Sequence, residues 1–593
     1  MVYDSKISFY RCIKMKYVNI LFSLLLAYLC YLMVSLYIPY QLYQLEHTSL
    51  FVGGTEIFLQ SFLQLGGLGK WIALFVTQFF AFWGVASWVF ILPVMILFIT
   101  VACILPVNKI YAFPLAASVA VSFLLSMFDY NYCLSGIVSL SLSFCVLLVI
   151  TYLKSYVTKI TVFLVSLPCM LWLCGPVVWV YLICGICLLI NENNWKYLLT
   201  LSIGIVVLMF IVIYFFAMVG TFQQIVSPVF YYDILNDFPL HHWIPWCVLA
   251  LVFIGSRIVR IGLVRRKVFL WSVYFGVWLF PCGMLVYCAP ILTNTPMQVL
   301  YRLNHYSYME NWDSMLRYLS GSRLDNWLYM NYVNLALAQK GQLGDNAFLF
   351  KPQGRAALIV NPSPDGVVRM LKSDINYTVG CIAEAQHQAF DAQMAFHKGV
   401  GIQTLKRLVQ TNLIFGHYAL AEKYLEIIEK TTFHKEWAQK YRAFLYDDEA
   451  VMACVELGEK RKSLIQNNRF VLVNGWTPEL EDVVRMNPLN KKAMDYLGIT
   501  YLLGKEMNAF RLLLERYYGT NALPQLPLAF QQAILLLYSD NESMWDRYEI
   551  SQEIKDEYNR FLEWNEKNKN NPNRKRIIGS EFGHTFWYYF NFV

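Results

Sequence analysis

The chain has 593 residues, 57% of them hydrophobic and 17% aromatic, with a formal net charge of +8 and positive mean hydropathy. That composition excludes an ordinary soluble domain or a disordered chain and indicates a polytopic membrane protein. The first 292 residues hold 14 basic and 7 acidic side chains and the rest hold 34 and 33, so the excess charge sits in the apolar half and is not a nucleic-acid footprint.

In chain order, apolar stretches at 18–38, 71–105, 111–127, 133–153, 159–173, 177–190, 197–219, 243–264 and 269–290 predict about nine crossings. Each is close to the length that spans roughly 30 Å of hydrocarbon at about 1.5 Å per residue. The first follows a basic tail but no small-residue cleavage pattern comes after Ile38, so it reads as a retained anchor, with Met15 an alternative start. The stretch 71–105 reads as one long crossing kinked at Pro93 rather than two crossings around Ser87. Segments 159–173 and 177–190, on either side of Gly175 and Pro176, either cross fully or re-enter.

Starting inside, Lys109, Lys154, Lys159, Lys196, Arg257, Arg260, Arg265, Arg266 and Lys267 fall on the same side as Lys6, Arg11, Lys14 and Lys16. Only Lys70 falls opposite, and this Lys/Arg sorting predicts a cytoplasmic tail (1–17), a transmembrane bundle (18–292) and a periplasmic remainder. Arg257 and Arg260 near the inner face read as snorkelling to headgroups, or as a grip on a lipid phosphate.

Two outer gaps carry the acids. The first, 39–70, holds Glu46, His47 and Glu56, with an amphipathic stretch Glu56–Leu65 expected to lie in the interface. The second, 220–242, holds Asp233, Asp237, His241 and His242. Glu46, Glu56, Asp233 and Asp237 are the candidate catalytic carboxylates, and Asp233, Asp237 and His241 the candidate metal ligands, since such groups over a bundle can hold a divalent cation or act as a base. Pro239 interrupts the helix that would bring those three together, so loop acids and a solvated His241–His242 pair are the plainer account. Asp129, in a tight turn, reads as a loop acid.

Residues 293–564 show soluble amphipathic helix patterning. Three helix pairs of tetratricopeptide (TPR) type are expected. The first uses Leu497, Gly498 and Tyr501, a turn at Gly504 and Lys505, then Phe510, Leu514 and Tyr517. The second surrounds Gly416 with Tyr418, Ala421, Leu425 and Ile428, and the third runs Tyr332, Ala336, Gly341. The glycines stand 75 and 88 residues apart, not a multiple of the usual period of about 34, so the domain is an irregular helical repeat or else an unrelated bundle. Lys351–Asp365 reads as a loop with at most a short strand, and Asn565–Arg576 as an exposed linker. Beyond it, Phe582 and the aromatics from Phe586 to Phe592 either dock onto the repeats or lie at the outer bilayer surface. Cys381 and Cys454, alone in this half, leave a disulfide open.

No phosphate loop, dinucleotide fingerprint, zinc spacing or nucleophile elbow is present in the sequence. Gly66, Gly67, Leu68 with Thr77, Gln78, Phe79, Phe80, and the run Met330–Leu343, resemble an uncharacterised family of polytopic inner-membrane proteins of Gram-negative Bacteroidota. The resemblance extends over most of the chain and implies an inner-membrane location, but supplies no catalytic residues to carry over. In architecture alone the chain is also similar to membrane glycosyltransferases that use lipid-linked sugars, whose essential carboxylate in the first outer loop could only be Glu46 or Glu56 here.

The expectation is therefore all-α: a membrane bundle, a TPR-like domain and an aromatic tail (565–593). It would serve as an interaction platform for envelope assembly or export, partnered by membrane lipid and a protein or peptide. The alternative is a transferase with a lipid-linked sugar donor, with a divalent metal as the possible cofactor. A transporter, hinted at by Pro93 and the Gly175 turn, is a third class.

Overall fold

The computed structural model describes residues 2–107, 109–189, 201–207, 209–210, 214, 226–233, 236–258, 267–320, 326–396, 400–465, 475–539 and 541–593. Most of the predicted span 197–219, together with Lys196, Arg260, Arg265 and Arg266, lies outside them. The described chain is all-α, its only strand-like features being the isolated bridges Tyr132↔Tyr232 and Tyr518↔Leu523. It divides into two compact units, one built on Met1–Gln298 with Lys430–Phe433, the other on Val299–Phe396, Val400–Glu429 and His434–Val593.

In the first unit, five described helices are long and apolar enough to cross a membrane: Tyr17–Tyr37, Val85–Ile104, Leu134–Tyr152, Tyr156–Cys174 and Tyr274–Leu292. Shorter apolar helices cover Gly67–Ala81, Tyr111–Ser126, Val178–Leu189 and Leu240–Ser256. By length and composition, several of the described helices could thus cross a membrane. Small residues let these helices approach: a Cβ on Gly185 would fall 2.1 Å from the Phe163 ring, and one on Gly69 would fall 2.0 Å from the Ser139 hydroxyl.

The stretch 71–105 corrects the expectation of a single kinked helix. An α-helix ends at Thr77, a 3-10 turn runs Gln78–Ala81, Phe82 is extended, and Gly84 turns the chain at φ +78° before Val85–Ile104 begins. Nothing charged marks the break, so hydropathy could not see it. Gly84 is the single local signal, because a left-handed φ strains any residue with a Cβ. Pro93 lies inside the second helix, and Ser141 Oγ donates to its carbonyl at 2.7 Å.

The second unit is a succession of helix hairpins that share one turn. Each first helix ends with a residue at positive φ, followed by an N–H that donates back to a carbonyl five residues earlier, the Schellman closure that satisfies terminal carbonyls. The positive-φ residues are Glu310, Gly341, Gly380, Gly416, Lys505 and Glu549. The returning bonds are Asn311→Tyr306, Gln342→Leu337, Cys381→Asn376, His417→Asn412, Glu506→Tyr501 and Ile550→Trp545, all between 2.8 and 3.1 Å. The first four turns are spaced 31, 39 and 36 residues apart.

The hairpin at Gly380, between Gly366–Val379 and Ile382–Ala395, was not expected, and it accounts for the 75-residue interval that seemed to break the repeat. Its signals were Asp365, whose carboxylate caps Val367 and Val368 N–H, and Gly380 itself. The hairpins at Gly416 and Lys505 stand where expected, with Ala421, Leu425, Ile428, Phe510 and Leu514 buried. The third differs: after Gly341 the second helix is a single turn, Leu343–Asn346, so no full pair forms. Arg355–Ala357 forms a 3-10 turn in place of a strand, held by Asn331 and Asn334 donating to the Ala356 and Ala357 carbonyls.

The linker expected at 565–576 is also shorter than predicted. Helix Gln552–Lys567 runs into it and Arg574–Phe582 begins within it, tied by Arg574 to Asn565 Oδ1 at 2.7 Å. The aromatic tail forms helix Phe586–Phe592 and docks inside the second unit. Phe586 and Trp587 are fully buried, Trp587 Nε1 donates to Gln532 O at 2.7 Å, and Tyr589 OH donates to Leu503 O at 2.7 Å. Cys381 and Cys454 are free thiols, and burial raises that of Cys381 well above the usual thiol range.

Candidate functional site

The two gaps that carry the predicted acids meet at a turn between them in sequence. Helix Lys109–Ser126 is followed by a turn at Asp129, whose carboxylate Oδ1 accepts the Asn131 N–H at 2.9 Å, an Asx turn that fixes the acid locally. The segment after Pro228 then runs antiparallel to this turn. Asp233 N donates to Asn131 O at 3.0 Å and Cys133 N to Tyr231 O at 2.8 Å. The first gap arrives through helix Pro39–Thr48, where Gln41 Nε2 donates to Met127 O at 3.3 Å and Thr48 Oγ1 lies 3.0 Å from Tyr130 OH.

At the centre, Asp129 Oδ2 accepts Tyr232 OH at 2.7 Å and stands 3.0 Å from His242 Nε2. Burial alone would raise this carboxyl. The bonds from His242, Tyr232 and the Asn131 amide outweigh it and hold the group below its usual range. An ionised carboxylate only accepts, so Nε2 of His242 carries a proton toward Asp129. His242 is fully buried, which corrects the solvated pair expected from sequence. Its neighbour His241 is exposed with the two rings 4.2 Å apart, and burial followed by the His242 charge lowers the His241 pKa. Burial of Tyr232, against the Asp129 charge, raises its phenol.

Around this pair, buried His242 Nδ1 has no hydrogen-bond partner among the described residues, and the buried Tyr132 hydroxyl is answered only by the Trp246 indole. The Tyr132 and His242 rings lie 5.5 Å apart, and Trp246 stacks on Tyr231 at 6.2 Å. Buried groups of this kind are ordinarily satisfied, so such a cluster has the polar character that holds a water molecule or a polar ligand.

The predicted site residues fall around this centre without forming it. Glu46 is buried on its helix with its carboxylate 2.9 Å from His47 Nδ1. Glu56 opens helix Thr55–Phe62, none of whose residues is buried. Asp233 is half-buried and Asp237 and His241 are exposed, and no three His, Cys, Asp or Glu residues among those described are arranged to hold a metal ion. Pro239, extended at ψ 142°, ends the segment before the 3-10 turn Leu240–Trp243, so these three share no helical face. Asp129, His242, Tyr132 and Tyr232 were not selected as site residues. The acid in a D-x-N turn and the doubled tyrosines were legible signals, but their meeting across 103 to 113 residues was not.

Comparison with known proteins gives one family model, described as a family of unknown function (DUF6057), which matches residues 13–593. No curated protein and no solved structure matches.

Proposed function

We propose that this chain, which belongs to the DUF6057 family of unknown function, is an inner-membrane protein of a Gram-negative bacterium that displays a TPR-like platform in the periplasm for a protein or peptide partner in envelope assembly or export. The observation that carries the reading is the run of Schellman-closed turns at 310, 341, 380 and 416, with full helix pairs at Gly380 and Gly416, because stacked helix pairs make extended binding surfaces.

Nine crossings and a cytoplasmic N-terminus remain the reading of the charge sorting. The break at Gly84 fits it if Gly67–Ala81 re-enters. Its 15 residues give only about 22 Å of helix, short of the roughly 30 Å hydrocarbon core.

The test is complementation of a deletion strain, joined to cross-linking from a photo-reactive residue at Leu420 or Leu512, both exposed on hairpin helices. The platform expects a discrete cross-linked partner, loss of complementation in Leu420→Glu with Leu512→Glu, and retention when Glu46, Glu56, Asp233 and Asp237 become Ala. The opposite pattern overturns it. One observation favours a second reading, a transferase using a lipid-linked sugar: Asp129 orients His242 through Nε2 while Nδ1 has no hydrogen-bond partner among the described residues, the geometry of an acid–His pair. That reading expects Asp129→Asn to abolish complementation while the folded protein accumulates normally.

A further inference from the structure

The segment expected to be an exposed linker carries the strongest local charge in the hairpin half. Between Lys567 and Arg576 stand five basic residues, Lys567, Lys569, Arg574, Lys575 and Arg576, and no acid. Without them residues 293–593 would count 29 basic against 33 acidic side chains, a net −4 in place of +1. The flanks from Arg560 to Glu581 add one base and the acids Glu563, Glu566 and Glu581, and the whole stretch keeps +3.

The fold gathers these charges at one tip. Helix Gln552–Lys567 and helix Arg574–Phe582 meet there, and Arg574 closes the turn between them, its Nε and Nη2 both donating to Asn565 Oδ1, at 3.0 and 2.7 Å. Asn571 Oδ1 accepts the Asn573 N–H at 2.9 Å and Asn568 Nδ2 donates to the Trp564 carbonyl at 2.8 Å, so the asparagines shape the turn's own backbone. Arg574 is thereby committed, and Lys569 pairs with Glu566 at 3.0 Å. Lys567, Lys575 and Arg576 are exposed, and their side chains have no ion pair or hydrogen bond among the described residues. Beside them Leu562 is 43% and Trp564 40% exposed, the indole standing edge-on to the Phe582 ring at 6.0 Å.

We infer that this tip is a docking surface for an anionic phospholipid bilayer. Three cations on long, exposed, unpaired stems can follow a smeared negative charge, whereas a single carboxylate on a protein partner is best met by a group held in place. Tryptophan and Lys/Arg side by side suit the headgroup layer, with the indole at the interface and the cations on phosphates. The same chain carries helices of membrane-spanning length, which keeps a lipid surface at high effective concentration, so a few weak contacts suffice. The inference goes beyond the platform reading and does not depend on it.

The test is hydrogen exchange of the full chain in phosphatidylcholine nanodiscs, in nanodiscs containing phosphatidylglycerol, and in the neutral nanodiscs with phosphatidylglycerol vesicles or a Glu-rich peptide added. Amides of 567–576 should exchange at least about threefold more slowly with the anionic lipid, in the disc or as vesicles. Raising the salt to about 1 M, where the Debye length falls to about 3 Å, should remove that protection. Lys567→Gln, Lys569→Gln, Lys575→Gln and Arg576→Gln combined should abolish it, each charge being worth about fivefold in surface affinity. Lys567→Arg, Lys569→Arg and Lys575→Arg combined should keep it. All four positions are exposed, and unchanged exchange in helix Leu528–Leu537 shows that the variants fold. Equal exchange in neutral and anionic lipid overturns the inference, as does protection that survives the fourfold Gln variant. Protection by the Glu-rich peptide equal to that by the vesicles assigns the tip to an acidic protein and overturns it too. If the lipid has no effect while cross-links from Leu420 and Leu512 persist, the docking surface fails and the platform stands. Lipid protection without those cross-links gives the reverse.

Discussion

The two units bury polar side chains in different ways. In the membrane-class helices most hydroxyls turn back on their own helix, with Thr77 to Ala73 O at 2.7 Å, Thr100 to Ile96 O at 2.8 Å and Ser143 to Ser139 O at 2.8 Å, although Ser141 also reaches Pro93 O on another helix. In the hairpin unit many buried polar groups reach across helices instead. Asn490 donates to Val379 O at 2.9 Å, Trp476 to Asn376 Oδ1 at 2.8 Å, and Trp587 to Gln532 O at 2.7 Å. A helix in hydrocarbon must satisfy its hydroxyls before it meets a neighbour, because no water will do so. A helix folding from water can wait for docking. The Asp129 turn departs from the membrane pattern, joining residues distant in sequence and leaving buried His242 Nδ1 without a hydrogen-bond partner among the described residues.

The largest effect expected of breaking a cross-helix bond is at the docked tail. Trp587→Ala removes a fully buried ring and the bond to Gln532, and should cost about 3–5 kcal/mol of the hairpin unit's stability. Hydrogen exchange of the full chain should show lost protection in helix Leu528–Leu537, with the membrane helices unaffected. A loss under about 1 kcal/mol would mean that the tail does not hold the unit.

Next is the Asp129 centre. Asp129→Ala strands buried His242 and the Tyr232 hydroxyl and should cost about 2–4 kcal/mol, read as a lower thermal inactivation temperature in detergent. Glu56→Ala, at an exposed position, should change that temperature little.

Protons sharpen the comparison further. Glu479 is raised to about 7 by burial and then by Glu384, and Asp495 to about 7 by burial and by Asp345. A carboxyl raised on folding contributes stability that is complete below its unfolded value near 4 and is lost as pH climbs to about 7. The hairpin unit should therefore lose stability between about pH 4 and pH 7, by at most roughly 1.4 kcal/mol per pH unit for each proton. Glu479→Gln should remove part of that slope in full-chain hydrogen exchange, and an identical slope would refute the assignment. The smallest effect belongs to a hydroxyl that only returns to its own helix: Thr100→Val should stay within about 0.5 kcal/mol in thermal inactivation.

Much of the architecture was readable from the chain. Runs of apolar residues marked the membrane helices, and Gly416 and the Gly504–Lys505 pair marked hairpins, because a glycine at a helix end signals a left-handed turn and the flanking periodicity signals the face. The Gly380 hairpin is hidden by the 75-residue spacing of Gly341 and Gly416, although Asp365 and Gly380 bracket its first helix. Glu310, Lys505 and Glu549 make the same turn without glycine, and no composition rule selects them. The site was the least legible part. The acids with helical spacing, Asp233 and Asp237, are not brought together, while Asp129 was passed over because its partners lie in another gap.

By itself, then, the sequence determined that this is a helical membrane protein with a helical second half, because burial in hydrocarbon and helix amphipathicity are properties of short windows of chain. Tertiary structure alone decided that the chain breaks at Gly84, that Asp129 meets His242, and that Arg407 and Lys460 lie over the Tyr377 ring. Those outcomes depend on which segments pack together, and a pairing across about a hundred residues leaves no mark in either partner's local pattern.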